Sequence, residues 1–588
     1  MYWSVVEKVV RGRGRELQKY KYFEETWRLL NEGAKLVVVQ APTGCGKTEA
    51  VSAPFLYGLS VGARGWFSLV HALPSRSLVV AMRRRLAKAV KSLGVSRATV
   101  TVNYGELLAL KPYLEGDVAV TTYDTLLYAF YGLAVPGYHV LLPLSKLAGS
   151  LLVLDEVQLL QDNYWYSMSL LPVHVSSLVE LGVQVVIMSA TLPEAVVNEL
   201  KDRLSTSSVK LERVTSSDLP HRGKLQVELE EGSLPVGEGL DDLVLGRIVR
   251  EELLPALIVV NTVEKAVAVY RRLLELEKSN RLNRVKPLLL HSRLTTKAKE
   301  EVERLLEGGG DSKDLCVLVA TQVVEAGLDM DFRFLATELS PVDSLIQRLG
   351  RAGRRRDAEA VVFLDVESGR SVYPELLLNK TLEVVKGNEA QLSDSVSRLQ
   401  SAQDLVDKVY TDEVIEELKE SLDLAKRSML NKTMSKITDF PRTIFSAPLR
   451  KDLKSLHLLR LGIELRCLYL AREKDYKSLV CSKEVDSKGL VLSFDEVKRS
   501  IVRISQEDSR KLPPALLHKV DGEDKAVVLK VEGCESGGLV NLMPYFKPPE
   551  EAVRDLESGF DVLLLLNPDF YEFFETYELG VVKPWGRV

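Results

Sequence analysis

Gln40-Ala41-Pro42-Thr43-Gly44-Cys45-Gly46-Lys47-Thr48 decides the reading of this chain. It follows a short apolar run, Leu36–Val39, and opens a helical pattern, the order that a phosphate-binding loop requires. Backbone N–H groups from Gly44 through Gly46 to Thr48 would cradle phosphates, helped by the N-terminus of the helix. Lys47 would neutralise the β and γ oxygens, and the Thr48 hydroxyl would coordinate Mg²⁺. ATP and Mg²⁺ are therefore the expected cofactors. Ala41 stands where the usual pattern begins with glycine.

Working outward, Asp155-Glu156-Val157-Gln158 closes a second apolar run, Leu151–Leu154. Adjacent carboxylates at a strand end are unfavourable unless a cation or a solvated cleft stabilises them. Beside a phosphate loop, Asp155 would hold Mg²⁺ through water and Glu156 would polarise the attacking water. Ser189-Ala190-Thr191 follows the run VVIM, and Ser189 and Thr191 are candidates to link the ATP site to a nucleic-acid surface by hydrogen bonds. Further on comes Gln347-Arg348-Leu349-Gly350-Arg351-Ala352-Gly353-Arg354. A phosphate-loop hydrolase needs positive charge on the γ-phosphate in its transition state, and arginine's planar fork suits that task. Arg351 and Arg354, three residues apart, would share one face of a helical turn, with Gln347 a further candidate at the reacting phosphate. Upstream, Thr321 is placed to meet a backbone phosphate, and Asp329 to reach the ribose or the opposing domain.

Around these motifs the chain alternates strand-like and helical segments from Lys35 to about Asp365, which implies parallel sheets with crossover helices. Two α/β units follow one another, expected at residues 1–212 and 213–370. Residues 371–440 read as a helical linker of one or two long helices, and 441–588 as a mixed accessory domain with strands near Ala526–Val531 and Val562–Leu566. The fold class expected is thus α/β, two tandem parallel-sheet units. With 46% apolar and 27% charged residues, the 588-residue chain has material for folded cores. Its net charge of −4 requires any nucleic-acid surface to be locally basic. No apolar run approaches membrane-spanning length and no signal peptide is evident, so a cytoplasmic protein with no membrane partner is expected. The five cysteines form no CxxC pair, which argues against a zinc site or a disulfide framework.

Taken together, these motifs over residues 40–354 resemble those of a superfamily 2 helicase. The resemblance implies two RecA-like domains facing each other across ATP, with Arg351 and Arg354 acting in trans on phosphates held at Lys47. It places single-stranded nucleic acid on Ser75, Arg76, Thr121 and Thr122 in the first domain, and on Asn261, Thr262, His291, Arg293 and Thr321 in the second. Backbone amides and hydroxyls suit phosphate tracking without sequence reading. Gln18, with Tyr20, Tyr22 and Phe23, lies where such helicases grip adenine; ordinary helix packing is the other reading of those aromatics.

The phrases QAPTGCGKTEA, TTYDTLLYAF, LDEVQLLQ, HSRLTTKAKEEV and SPVDSLIQRLGRAGRRR resemble the helicase of type I CRISPR interference. Many members of that family carry an N-terminal histidine-aspartate (HD) metal nuclease. Here the phosphate loop begins at residue 41, and none of the seven histidines is followed by Asp. The expectation is a stand-alone helicase subunit that translocates 3′-to-5′ on single-stranded DNA. Its partners would be a separate HD-type nuclease subunit and an RNA-guided targeting complex. Two rivals stay open: a superfamily 2 RNA helicase or repair translocase on the same motor, and an ATP-binding switch that does not move along DNA.

Overall fold

The computed structural model describes residues 2–11 and 19–443, except for 43, 64, 96, 104–113, 134–140, 161–164, 206–208, 217–221, 250–252, 283, 308–314 and 326–329. Beyond 443 it describes Leu458, Val497, Leu516, Ala552 and the strands between Ile463 and Val582.

The first domain is a seven-stranded parallel sheet. Its strands are β1 (Leu36–Gln40), β2 (Ser68–Leu73), β3 (Val100–Asn103), β4 (Val118–Thr122), β5 (Ser150–Asp155), β6 (Gln184–Ser189) and β7 (Leu211–Thr215). Their spatial order is β3-β4-β2-β5-β6-β1-β7. Every residue of β1 is buried, with Leu36 and Val38 in one core and Val37 and Val39 in another. Alternate side chains point to opposite faces of a strand, so a continuous apolar run is what a sheet covered on both faces demands. Each such buried aliphatic side chain contributes roughly 1.5–3 kcal/mol. β7 carries this sheet to Thr215, past the expected break at 212, and it pairs with β1 from Leu36↔Leu211 to Gln40↔Thr215. Only Leu211, Val214 and alternating polar residues mark it, a weak pattern for a strand at the sheet's edge.

The second domain repeats the plan with β8 (Leu225–Glu230), β9 (Ala256–Val259), β10 (Lys286–Leu290), β11 (Cys316–Ala320), β12 (Phe334–Glu338) and β13 (Ala358–Phe363). All pair in parallel, in the order β10-β11-β9-β12-β13-β8. In both sheets the chain leaves the C-terminal strand edge into helices whose first turns are capped. Ser75, Thr122 and Thr262 accept from Leu78 N, Thr125 N and Lys265 N at 3.4, 3.4 and 3.2 Å. Hydroxyl caps satisfy helix N–H groups that have no intrahelical partner.

The linker is not one or two long helices. Five helices replace them: Glu375–Val385, Glu389–Ser395, Leu399–Val409, Asp412–Glu420 and Leu424–Thr443. Gly387, at φ 75°, supplies the left-handed residue that ends the first. The second of these helices packs on β8 of the second domain, whereas the third and fifth reach the first domain. The buried helix Tyr166–Glu180 receives Leu424–Thr443, with Ser177 Oγ donating to Ile437 O at 3.1 Å and Phe440 packing 5.3 and 4.7 Å from the rings of Phe130 and Tyr131. The accessory region forms a mixed sheet with long strands Glu523–Cys534 and Leu539–Lys547. It touches the second domain where Thr296 Oγ1 donates to Ile501 O at 3.3 Å. Among the described residues no helix is long and apolar enough to cross a membrane.

Candidate active site

β1 delivers its chain into a loop that only glycine permits at two positions: Gly44 at φ 91° and Gly46 at φ 77°. A Cβ on Gly46 would meet the Phe23 ring at 3.0 Å, whereas one on Gly44 would meet nothing within 4 Å. The loop is thus backed by an aromatic wall and open on its outer side. Tyr22 tightens the wall by donating its hydroxyl to Cys45 O at 2.6 Å. Phe23 packs at 4.9 Å from Tyr22 and 5.9 Å from Tyr20, all three buried. These aromatics are therefore core packing under the loop, and Gln18 lies outside the described residues. Lys47 and Thr48 begin the helix Lys47–Val61; the Lys47 ammonium donates to Ala41 O at 2.7 Å and to Pro42 O at 3.3 Å.

Two strands away across the same edge, β5 ends at Asp155. His71, on β2, places its Nε2 2.9 Å from Asp155 Oδ2, and the Tyr123 hydroxyl donates to Asp155 O at 2.9 Å. Glu156 follows with φ 55°, a left-handed conformation rare for a side-chain-bearing residue and stored mainly at functional sites. Burial, then the neighbouring Asp155, holds its carboxyl above the usual range, while Lys47, Gln158 and Arg351 pull it back. Lys47 and Arg351 come from different domains, so the cleft between the sheets is where their charges converge on Glu156.

A hydrogen-bond chain leads away from that carboxylate. Gln158 Nε2 donates to Glu156 Oε2, and Ser189 Oγ donates to Gln158 Oε1. Ser189 Oγ also accepts from Thr191 N at 3.2 Å. The structure thus connects Glu156 to Ser189 and Thr191 through Gln158. Beside them, a cavity of about 10 Å³, room for about one water, is lined by Pro42, Thr191 and Gln347 among others. Gln347 Nε2 is buried there without a partner.

The second domain brings the arginine loop to the cleft. The helix Val342–Leu349 stops before both arginines, and Gly353 turns the chain at φ 68°. Arg351 and Arg354 consequently do not share a helical face, contrary to their three-residue spacing. Arg351 Nη2 donates to Glu325 O, and Arg354 Nε donates to Gly350 O at 3.0 Å. Arg348 is the buried hub behind them, donating to Glu325 Oε1 at 2.8 Å, Thr337 Oγ1 and Asn261 Oδ1 at 3.1 Å each, and the Tyr373 hydroxyl at 2.9 Å. Asp329 lies outside the described residues.

The residues expected to meet nucleic acid end the other half of each sheet: β4 and β2 in the first domain, β10, β11 and β9 in the second. Ser75, Arg76, Thr262 and Arg293 are partly exposed on that rim. Thr121, Thr122, Asn261, His291 and Thr321 are buried. Thr121 donates to Asn103 O, and Asn261 donates to Leu339 O at 2.8 Å while accepting from Arg348. His291 accepts from Arg293 N at 3.1 Å, and burial, then Lys299 and Arg293, lower its pKa to about 3. The side chains of this second group face the fold and support the rim.

Sequence reasoning left four residues without a site role: His71, Tyr123, Arg348 and Arg222. Arg348 and Tyr123 lie inside sequence motifs, whereas His71 and Arg222 lie outside them, where only the fold shows what they touch.

The donor set fits Mg²⁺ and a nucleoside triphosphate: an open glycine loop, a buried Lys-Thr pair, and two carboxylates with cations from both domains beside them. Residues 21–200 match the DEAD/DEAH box helicase family, and residues 254–357 match the C-terminal family of the CRISPR-associated nuclease/helicase Cas3. The first of these families implies ATP use. The CRISPR-associated helicase Cas3 of Thermoproteus tenax is 29% identical over 82% of this chain and 79% of its own length. The CRISPR-associated nuclease/helicase Cas3 of Methanothermobacter thermautotrophicus is 26% identical over 62% of this chain, but this chain spans only 45% of that protein. The crystal structure of T. fusca Cas3 with AMPPNP superposes with a TM-score of 0.56 at 22% identity, covering 85% of this chain and 66% of that one.

Proposed function

Since the chain is a homologue of the CRISPR-associated Cas3 helicases on the superfamily 2 motor, we propose that it is an ATP-driven single-stranded DNA translocase and helicase of CRISPR interference. The observation that carries this reading is a cavity shared by the two domains, lined by Pro42 of the phosphate loop and Thr191 on one side and by Gln347 of the arginine motif on the other. Hydrolysis then depends on closure of the two sheets, which is what separates a motor from a passive ATP-binding switch.

In this reading Gly44, Gly46 and Lys47 hold the phosphates, and Thr48 and Asp155 hold Mg²⁺, which would neutralise charge on the phosphate oxygens. Glu156 takes a proton from the attacking water, and its raised pKa makes it a better acceptor than an ordinary carboxylate. Arg351 stabilises the charge that develops on the transferred group, with Arg354 and Gln347 beside it. Glu156, Gln158, Ser189 and Thr191 carry the nucleotide state toward the rim. There Ser75, Arg76, Thr262 and Arg293 track the DNA backbone, moving 3′-to-5′.

Cutting falls to a separate HD-type nuclease subunit, and an RNA-guided complex supplies the target. Strand displacement on duplexes with a 3′ or a 5′ single-stranded DNA tail, and on the RNA equivalents, tests the reading. ATP-dependent unwinding of the 3′-tailed DNA alone supports it; unwinding of RNA alone, or metal-dependent cleavage by the purified chain, contradicts it.

A further inference from the structure

Arg222 belongs to no motif, yet its guanidinium lies against the arginine loop. Nη2 donates to Ala352 O at 2.7 Å and to Gly350 O at 3.4 Å, and Nη1 donates to Val396 O at 3.0 Å. Gly350 and Ala352 flank Arg351. One side chain therefore grips the carbonyls of the residues on either side of Arg351 and ties them to the end of the helix Glu389–Ser395.

The local sequence explains how Arg222 arrives there. A Cβ at the next residue, Gly223, would stand 2.2 Å from the backbone carbonyl of Arg356, so glycine is needed for the two segments to touch. Lys224 N then donates to Asp357 Oδ1 at 2.7 Å, and Ala358 N donates to Lys224 O at 2.9 Å. Burial, then repulsion from Arg354, lowers the Arg222 pKa to about 10, so the group stays charged at neutral pH. Asp331 and Cys45 offset the shift, and Cys45 belongs to the phosphate loop of the other domain.

We propose that Arg222 is a positioning residue for Arg351: by holding Gly350 and Ala352, it fixes the loop in the register that presents Arg351 to the phosphate on the opposite domain. This rests on the functional reading above. A lysine cannot replace it, because an ammonium lacks the planar fork that spans separate carbonyls. The reach matters because a misplacement of about 1 Å in a catalytic group can cost about a hundredfold in rate.

The test is a double-mutant cycle of Arg222→Lys and Arg351→Ala, reading DNA-stimulated ATP turnover, KM for ATP and the thermal midpoint. Arg222→Lys should lower kcat about tenfold, the equivalent of one hydrogen bond to a charged group, with KM within about twofold. In the Arg351→Ala background the same change should alter kcat less than about twofold, because the positioned group is gone. Equal proportional losses in both backgrounds, or a loss confined to KM, overturn the proposal. If the lysine variant folds poorly, Arg222→Gln, which keeps N–H donors without the charge, should give the same pattern. A wild-type chain that hydrolyses no ATP overturns the functional reading, and this inference with it; a stimulated wild type with additive variants overturns the inference alone.

Discussion

His71 Nε2 and Asp155 Oδ2 meet at 2.9 Å, both side chains buried, at the seam between the strand that leads to Ser75 and the strand that ends in the carboxylate pair. The imidazole restrains one oxygen of the carboxylate expected to face Mg²⁺. Partners of this kind orient metal-binding groups.

His71→Ala should therefore lower ATP turnover about tenfold and raise the Mg²⁺ concentration needed for half-maximal rate, since a hydrogen bond to a charged group contributes about 1.5–3 kcal/mol. ATP hydrolysis measured against Mg²⁺ checks this. A Mg²⁺ profile identical to wild type would show that His71 only packs.

Glu156→Gln should remove at least about a hundredfold of turnover while leaving nucleotide binding intact, the usual contribution of a general base. Because burial and Asp155 raise the pKa of Glu156, the wild-type rate should fall, as the pH drops, at a higher pH than a solvent-exposed glutamate would dictate. The sign follows from the base form being the deprotonated one. A pH–rate profile of kcat measures it, and a flat profile through the weakly acid range would count against Glu156 as the base.

Ser189→Ala removes the hydroxyl between Gln158 and Thr191. ATP hydrolysis should persist within about threefold while strand displacement per ATP falls by about tenfold or more. Parallel measurement of both rates decides it; equal losses in the two would make Ser189 a plain structural contact.

Much of this site was legible in the sequence because its chemistry is local. A glycine loop between an apolar strand and a helix admits few readings, and the Asp155-Glu156 pair sits at the end of a run apolar enough to mark its own strand. The arginine loop was legible in composition but not in conformation: spacing suggested a shared helical face, whereas Gly350 and Gly353 take Arg351 and Arg354 out of the helix. The rim was the least legible part. Thr121, Asn261 and His291 have side chains that serve equally well as contacts or as supports, and only the fold shows them bonded inward. β7 and the five-helix linker escaped for a related reason, since edge strands and short helices carry half-apolar patterns that many conformations satisfy.

Asp343 offers a test of the linker's docking. Its carboxylate accepts from the Tyr410 hydroxyl at 2.6 Å, and burial pushes its pKa up to about 6. A raised pKa in the folded state means full stability below the unfolded value near 4, lost as pH rises to about 6; two units correspond to roughly 3 kcal/mol. Asp343→Asn keeps the acceptor without the charge. Its thermal midpoint should therefore exceed that of wild type at pH 7.5, and the gap should close below pH 4. A variant less stable than wild type at both pH values would contradict the account.

The central claim is that hydrolysis at Lys47 and Glu156 requires Arg351 from the other domain. The most direct measurement is steady-state ATP hydrolysis by wild type and Arg351→Ala, each with and without single-stranded DNA, alongside nucleotide affinity. Wild type should be stimulated by DNA, and Arg351→Ala should lose about 10³-fold of the stimulated rate while binding nucleotide within about threefold. An Arg351→Ala protein that DNA still stimulates to the wild-type rate would contradict it.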